Sequence, residues 1–360
     1  MTFEVAITGV GYRVPERVVK NDEFEARMET TDQWISERTG IRERRIADPE
    51  VALSDLAIPS CRQALDHAGI DPKDVDLVIC GTSTPDMLMP STAAITAHAV
   101  GCTRAAAFDL EAACSGFVYA VVVAEQFIRN GTYRNVLVIG GDILSKFINW
   151  DDRGTAILFA DGAGAAVLSR SDRRGVLAST LGADGSGQDL IQIPLGSRTP
   201  PTADKTLHVV HMKGREVYKW AVDNVPKILT QVAGAADLTP ADFDHVILHQ
   251  ANLRIIEAVS KRLGLRSDQM IVNVDRMANT SAGTIPIALG EAAEQGRLKP
   301  GDRLCLLGFG SGLTWAATAL TWTAPVPRPA PARTATTGHH EPSVTASDLA
   351  GPGVVPSRSL

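Results

Sequence analysis

Pro72-Lys-Asp-Val-Asp-Leu-Val-Ile79 returns as Pro240-Ala-Asp-Phe-Asp-His-Val-Ile247, with every matched residue 168 positions further along the chain. A second pair keeps the same offset, since Arg134-Asn-Val-Leu-Val-Ile-Gly140 falls opposite Asp302-Arg-Leu-Cys-Leu-Leu-Gly308. In each case a polar turn gives way to a short apolar run, the pattern of a loop entering a buried strand. Two well-separated matches that share one offset indicate an internal duplication.

Working outward from these stretches, strands alternate with helices in both halves. Val75–Cys80, Ala105–Leu110 and Val136–Ile139 read as strands, and Leu53–His67, Thr92–Val100 and Ser115–Arg129 as helices. In the second half Val246–His249 and Leu304–Leu307 read as strands, with helices near Val217–Val232, Leu253–Leu263 and Thr284–Glu294. Such alternation predicts an α/β fold with a mostly parallel, buried sheet in each half. The halves are 1–170 and 171–322, related by a pseudo-twofold axis. From 323 to 360 Pro, Ala, Thr, Ser and Gly dominate and no Phe, Trp or Tyr occurs. That composition cannot offset the entropy of ordering, so this tail is expected to be disordered.

Composition narrows the functional classes. The chain has 360 residues, 44% of them apolar, which provides ample core for a globular protein. Its formal net charge of −6 argues against nucleic acid as the main partner. No run approaches the roughly 18 apolar residues of a membrane span, and the first residues lack a signal-peptide pattern, so a cytoplasmic protein is expected. Five cysteines with no Cys-x-x-Cys pair indicate neither a disulfide framework nor a zinc cluster. His339-His340 is too short a tract for a metal site.

One cysteine stands apart. Cys114, in Ala112-Ala-Cys-Ser-Gly-Phe117, sits where a strand gives way to a long helical pattern. A thiol there meets unpaired N–H groups and the positive end of the helix dipole, both of which favour thiolate. His249 ends a strand of the second half, and Asn279 lies in Ala278-Asn-Thr-Ser-Ala-Gly-Thr-Ile-Pro286. The 168 offset carries Cys114 onto Ala282, three residues past Asn279, so cysteine and asparagine are expected to face one another across the pseudo-twofold. Ligands bind at the carboxyl ends of strands in open α/β sheets, and a site drawing on both halves follows.

These residue types suit acyl transfer through a thioester. A thiolate attacks an acyl carbonyl, and backbone N–H groups at the helix start and in Gly308-Phe-Gly-Ser-Gly312 hold the tetrahedral oxyanion. His249 and Asn279, with no carboxylate beside the histidine, form a pair of neutral donors. Such a pair suits an enolate, the charge released when a malonyl thioester loses carbon dioxide.

With these residues in view the chain resembles the β-ketoacyl-acyl-carrier-protein synthase III family of the thiolase superfamily, over nearly all of 1–322. The motifs are Thr31-Asp-Gln-Trp-Ile-Ser-Glu-Arg-Thr-Gly-Ile-Arg-Glu-Arg44, the Ala-Cys-Ser-Gly-Phe run, Asp152-Arg-Gly-Thr, Asp161-Gly-Ala-Gly-Ala-Ala, His249-Gln-Ala-Asn-Leu-Arg-Ile-Ile, Asn279-Thr-Ser-Ala and Gly312-Leu-Thr-Trp315. The resemblance implies a five-layered αβαβα homodimer. In it Cys114 is acylated from acyl-CoA, and His249 and Asn279 promote decarboxylative condensation with malonyl-carrier protein, without a further cofactor.

The resemblance also implies roles that spacing alone does not give. Trp34 and Arg153 would sandwich the CoA adenine, Thr30 and Arg38 would approach its phosphates, and Asn252 its pantetheine arm. Arg215, Lys219 and Arg254 would meet the acidic carrier protein, and the backbone N–H groups of Cys114 and Ser311 would form the oxyanion hole. Three positions depart from the family pattern. Arg215 stands where Asn is frequent, Ser311 occupies the oxyanion position, and Met89 replaces a common Phe of the acyl pocket, which suggests a roomier pocket or an unusual starter.

Other readings compete. A relative with the same acyl-enzyme could pass the acyl group to oxygen or nitrogen, but Asn279 fits an enolate better than an acceptor that needs a base. The lack of a second catalytic-type cysteine near Gly308–Gly312 speaks against a thiolase. Gly9-Val-Gly11 hints at dinucleotide binding but lacks the third glycine and the acidic partner. A non-catalytic assembly role leaves Cys114, His249 and Asn279 without purpose.

Overall fold

The computed structural model describes residues 2–197 and 208–325. The first half builds strands β1 (Glu4–Arg13), β2 (Val18–Lys20), β3 (Glu43–Arg45), β4 (Leu77–Gly81), β5 (Ala106–Leu110), β6 (Asn135–Ile143) and β7 (Asp161–Ser171). Its helices are α1 (Asp22–Glu25), α2 (Asp32–Thr39), α3 (Leu53–Ala68), α4 (Thr92–Val100), α5 (Gly116–Arg129) and α6 (Arg153–Ala156). The second half adds β8 (Val176–Ala183), β9 (Ile191–Gln192), β10 (His211–Met212), β11 (His245–Leu248), β12 (Arg303–Gly310) and β13 (Thr314–Thr321). With them come α7 (Gly214–Ala235), α8 (Leu253–Leu263), α9 (Val274–Met277) and α10 (Thr284–Glu294).

The duplication is visible in the sheets. One runs β1-β7-β6-β4-β5 and the other β8-β13-β12-β11. The two repeated stretches are β4 and β11, each after a 3-10 turn at Pro72–Asp74 or Pro240–Asp242, and β6 and β12. The sheets are mixed rather than mostly parallel. β5, β4 and β6 are parallel, as are β11 and β12, but β7 and β1 in one sheet and β13 and β8 in the other run antiparallel. Only three residues join β12 to β13, too few for a parallel crossover. The 168 offset places the counterpart of β5 on α9, so among the described residues the second sheet has only an isolated bridge, Val246 to Met270, on that side.

Alternation along the central strands sets the layers. On β4, Leu77 and Ile79 face one core while Val78 and Cys80 face another, and on β12 Leu304 and Leu306 are separated in the same way from Cys305 and Leu307. Between the sheets lie α5 and α10, through Phe117, Val121, Ile285 and Leu289. Helices α3 and α4 cover the outside of the first sheet, and α7 and α8 the outside of the second. The result is the five-layered αβαβα arrangement of a thiolase-like fold. Gly9 and Gly11 lie inside β1 where it packs on α3, and a Cβ at Gly9 would meet Ala68 N at 2.6 Å, so these glycines serve packing.

The seam expected at 170/171 falls at the end of β7, just before β8 opens the second sheet. The expected tail starts too early. Trp322 and Ala324 are buried, and Thr323 Oγ1 donates to Ile7 O at 2.9 Å, so the chain stays packed to that point. The rest of the 323–360 segment, from 326 on, lies outside the described residues, as does His339-His340. No helix among the described residues is long and apolar enough to cross a membrane.

Candidate active site

The two halves meet at a pair of matching turns. Cys114 lies in a 3-10 turn, Ala113–Ser115, that leads into α5, and Ser281–Gly283 forms the same turn into α10. Both begin on a non-glycine residue at positive φ, Ala113 at 47° and Ser281 at 51°. That conformation is sterically costly for an L-residue and is held by its surroundings. Around Cys114, the hydroxyls of Ser115 and Thr314 both donate to Ala112 O, at 2.6 and 2.9 Å, and Ala113 N donates to Glu111 Oε1 at 3.0 Å. Gly310 lies against this turn, where a Cβ would come within 2.7 Å of Cys114 N. Only a glycine leaves that N–H approachable.

His249 follows β11 directly, and its own N–H donates to Leu307 O at 2.8 Å. Its ring is buried, edge-on to Phe309 with centroids 5.3 Å apart, and Nδ1 lies 2.7 Å from Thr284 Oγ1. Thr284 Oγ1 also reaches Ser281 O at 3.0 Å. The hydroxyl therefore accepts from Nδ1–H while donating to the carbonyl, or donates to a bare Nδ1, and so supports either neutral tautomer. Burial pushes the imidazole down to about 3, which keeps the ring uncharged at neutral pH.

Asn279 is fixed from three sides. Its N–H donates to Leu158 O at 3.0 Å, its carbonyl accepts from Ala160 N at 2.9 Å, and Oδ1 accepts from Ser281 N at 2.9 Å. Since a backbone N–H demands an acceptor, Oδ1 is assigned there and Nδ2 remains as a donor. The side chain can thus give a hydrogen bond and cannot serve as a base.

Cys114, His249 and Asn279 line one cavity of about 650 Å³. A second space of about 430 Å³ opens on another side of Cys114, between Glu111, Leu144, Phe159, Ile191 and Ser311. The expected thiolate is not what burial dictates. The Cys114 thiol is pushed up to about 12, chiefly by desolvation, with Asp142 and Glu111 adding to the rise and the Ser281 hydroxyl opposing it. The helix start alone does not offset that cost, so the resting sulfur is protonated. Cys61, Cys80, Cys102 and Cys305 are buried core residues.

The larger cavity runs outward to Trp34, Arg38 and Arg153. Thr31 caps α2 by accepting from Trp34 N at 3.0 Å, and Asp152 caps α6 by accepting from Gly154 N at 2.8 Å, which aims Trp34 and Arg153 at one another. The Arg153 guanidinium sits 4.7 Å from the Trp34 ring centroid, and Arg38 sits 5.7 Å from it. Thr30 does not line this cavity, and its buried hydroxyl has no partner among the described residues. Asn252 does line it, while its side chain caps α8 at Arg254 N (2.9 Å) and donates to Arg38 O (3.1 Å). Arg215 and Arg254 stand exposed at the mouth, and exposed Lys219 lies on α7 outside the lining. Met89 lines neither cavity and is 81% exposed, beside Leu88 at 97%.

Sequence reasoning missed Asp142, Ser281, Thr284 and Gly310. Asp142, fully buried at the end of β6, accepts on Oδ1 from Thr82 Oγ1, Ser83 N, Thr84 N and Thr84 Oγ1 at 2.8–3.0 Å. Its Oδ2 accepts from Ala282 N at 3.2 Å. A signal was present, because 142 and 310 are one more pair at the 168 offset.

Fold and cluster define the class as a thiolase-like enzyme of two fused, symmetric halves. Comparison with known proteins then gives the family. The family model for 3-oxoacyl-[acyl-carrier-protein] synthase III matches residues 108–185, and that for its C-terminal part matches 234–322. The chain is 50% identical over 323 residues to the β-ketoacyl-[acyl-carrier-protein] synthase III of Symbiobacterium thermophilum, covering 88% of this chain and 98% of that one. It is 46% identical over 327 residues to that of Clostridioides difficile, covering 90% and 100%. Among solved structures, the synthase III of Aquifex aeolicus matches with TM-score 0.83 and 40% identity over 88% of this chain and all of that one. The priming β-ketosynthase of the R1128 polyketide pathway matches with TM-score 0.86 and 34% identity, over 90% and 98%. This chain belongs to the β-ketoacyl-[acyl-carrier-protein] synthase III family.

Proposed function

We propose that the chain performs the condensation its family is named for, with Cys114 as nucleophile and no cofactor beyond its substrates. Cys114 attacks an acyl-CoA thioester, and the oxyanion is held by the N–H groups of Cys114 and Ser311. The thiol proton is transferred to the departing CoA sulfur, and the buried His249 ring stays neutral. Malonyl-carrier protein then enters the same cavity. As its carboxylate leaves as carbon dioxide, Asn279 Nδ2 and His249 hold the enolate oxygen, and the enolate carbon attacks the acyl group on Cys114 to give a 3-oxoacyl carrier protein.

The observation that carries this reading is the convergence of Cys114, neutral His249 and the donor end of Asn279 on one cavity. Trp34, Arg38, Arg153 and Asn252 are read as the CoA side of that cavity, with Thr30 beside it but outside its lining, and Arg215, Lys219 and Arg254 as the contact for an acidic carrier protein. Two features support a homodimer. Among the described residues β5 is an unpaired sheet edge, and Met87, Leu88 and Met89 expose apolar surface that a second copy would cover. Met89 would then shape the partner's acyl pocket. The reaction is placed in the cytoplasm, in fatty acid synthesis or in starting a polyketide.

Intact-mass analysis with a panel of acyl-CoAs, followed by malonyl-carrier protein, tests the reading. Wild-type protein is expected to gain an acyl mass that Cys114→Ala does not gain, and to lose it as a 3-oxoacyl carrier protein forms. Acyl mass cleared only by a small hydroxyl or amine acceptor would make the protein an acyltransferase instead.

A further inference from the structure

Arg44 lies on β3 with its whole side chain buried, a guanidinium in the interior of the first half. Its Nη1 donates to Val19 O at 3.3 Å, and its Nη2 donates to Asn21 Oδ1 at 2.8 Å and to Ile157 O at 3.0 Å. The Phe24 ring centroid stands 4.5 Å from its Cζ. All three oxygens are uncharged, and among the described residues Nε has no partner. A buried charge held this way is a costly filling for a core, since apolar side chains of similar volume serve stability as well or better. What a guanidinium does supply is a flat, rigid fork whose donors reach several chain segments at once.

Those segments carry the two sides of the Trp34–Arg153 contact. Ile157 closes α6, the helix that opens on Arg153. Asn21 turns its amide the other way, with Nδ2 donating to Asp32 Oδ1 and to Ile41 O, each at 2.8 Å. Asp32 is the first residue of α2 and Ile41 follows its C-cap, Gly40, so one amide grips both ends of the helix that presents Trp34 and Arg38. Arg44 itself does not line the cavity. We propose that Arg44, acting through Asn21 and Ile157, is the positioning residue that sets α2 against α6 and so fixes the spacing of Trp34 and Arg153 for the CoA nucleotide. A lysine in its place keeps the charge but loses the fork, and reaches one of these oxygens at a time.

The proposal rests on Trp34 and Arg153 being the CoA side of the cavity, and the test keeps the two ideas apart. The acyl-CoA that loads wild-type Cys114 fastest is compared with the same acyl group on pantetheine, which lacks the nucleotide. Acylation is followed by mass in wild type, Arg44→Lys, Asn21→Ala, Trp34→Ala and the Arg44→Lys/Trp34→Ala double variant. In Arg44→Lys and in Asn21→Ala, KM for the acyl-CoA should rise about tenfold, the scale of one weakened cation–π contact. The maximal rate, and the rate with acyl-pantetheine, should stay at the wild-type value. Adding Arg44→Lys to Trp34→Ala should raise KM no further than Trp34→Ala does alone, because both act on one contact. Equal slowing of both substrates in both variants would assign Arg44 to stability alone and overturn the proposal. So would an unchanged KM in Arg44→Lys and Asn21→Ala where Trp34→Ala raises it. An unchanged KM in Trp34→Ala would remove the CoA reading and the proposal with it.

Discussion

The two halves carry the same turn, and the contrast between them lies in what stands in front of it. In the second half, Ala282 N is satisfied by the Asp142 carboxylate at 3.2 Å. In the first half, the residue in the place of Asp142 is Gly310, and the space before Cys114 N is kept free of any side chain. One N–H is capped from within the protein, and its twin is the one proposed above to hold a substrate oxygen. Duplication thus supplied two strained helix starts, and a few side chains made one of them structural and the other chemical. His249 fits the same pattern, since its counterpart at the 168 offset is Gly81.

The sharpest way to break the contrast is to close the open turn. Gly310→Ala should lower the rate of Cys114 acylation by about 10²–10³, because its Cβ would sit 2.7 Å from Cys114 N. Single-turnover acylation followed by mass measures this, with circular dichroism to verify the fold.

Next in size is the opposite operation. Asp142→Ala strips the acceptor from four groups of the 82–84 loop and from Ala282 N. A loss of about 3 kcal/mol or more in urea unfolding is expected, since each buried donor left unpaired costs about 1–3 kcal/mol.

Per pH unit, the effect of His249 is smaller. Its folded pKa of about 3 lies below the unfolded value near 6.5, so the unfolded chain binds one more proton between those limits. The stability associated with the neutral ring is intact above pH 6.5 and drains away as pH falls toward 3, at up to about 1.4 kcal/mol per pH unit. His249→Gln should flatten that part of the stability–pH curve by one proton, and an unchanged slope would show that the ring is not buried neutral. The smallest expected signal is none. Ala282→Cys in a Cys114→Ala background should acquire no acyl group, because its amide is already occupied; an acyl adduct there would erase the distinction between the halves.

Much of this was legible in the sequence. The strands β4, β6, β11 and β12 showed themselves because buried central strands are unbroken apolar runs after polar turns, and the constant offset tied them together. Cys114, His249 and Asn279 showed themselves by residue type and by their places at strand and helix ends. The antiparallel outer strands did not, since direction depends on loop length and partner choice, which no local pattern encodes. Ser281, Thr284 and Asp142 look like ordinary turn and strand-end residues, and only tertiary folding brings them to the sulfur and the imidazole. The thiol's acidity was misjudged for the same reason. A helix start is written locally, while desolvation and the nearby Asp142 and Glu111 are not.

The protonated resting state of Cys114 has a consequence for survival under oxidative stress. Peroxide attacks thiolate sulfur, and sulfenic acid is the first step toward irreversible sulfinic and sulfonic forms. A sulfur that acquires its charge only as substrate is engaged presents little for an oxidant to strike between turnovers. In the role proposed for Cys114, the desolvation that holds its thiol protonated would therefore also lengthen its working life.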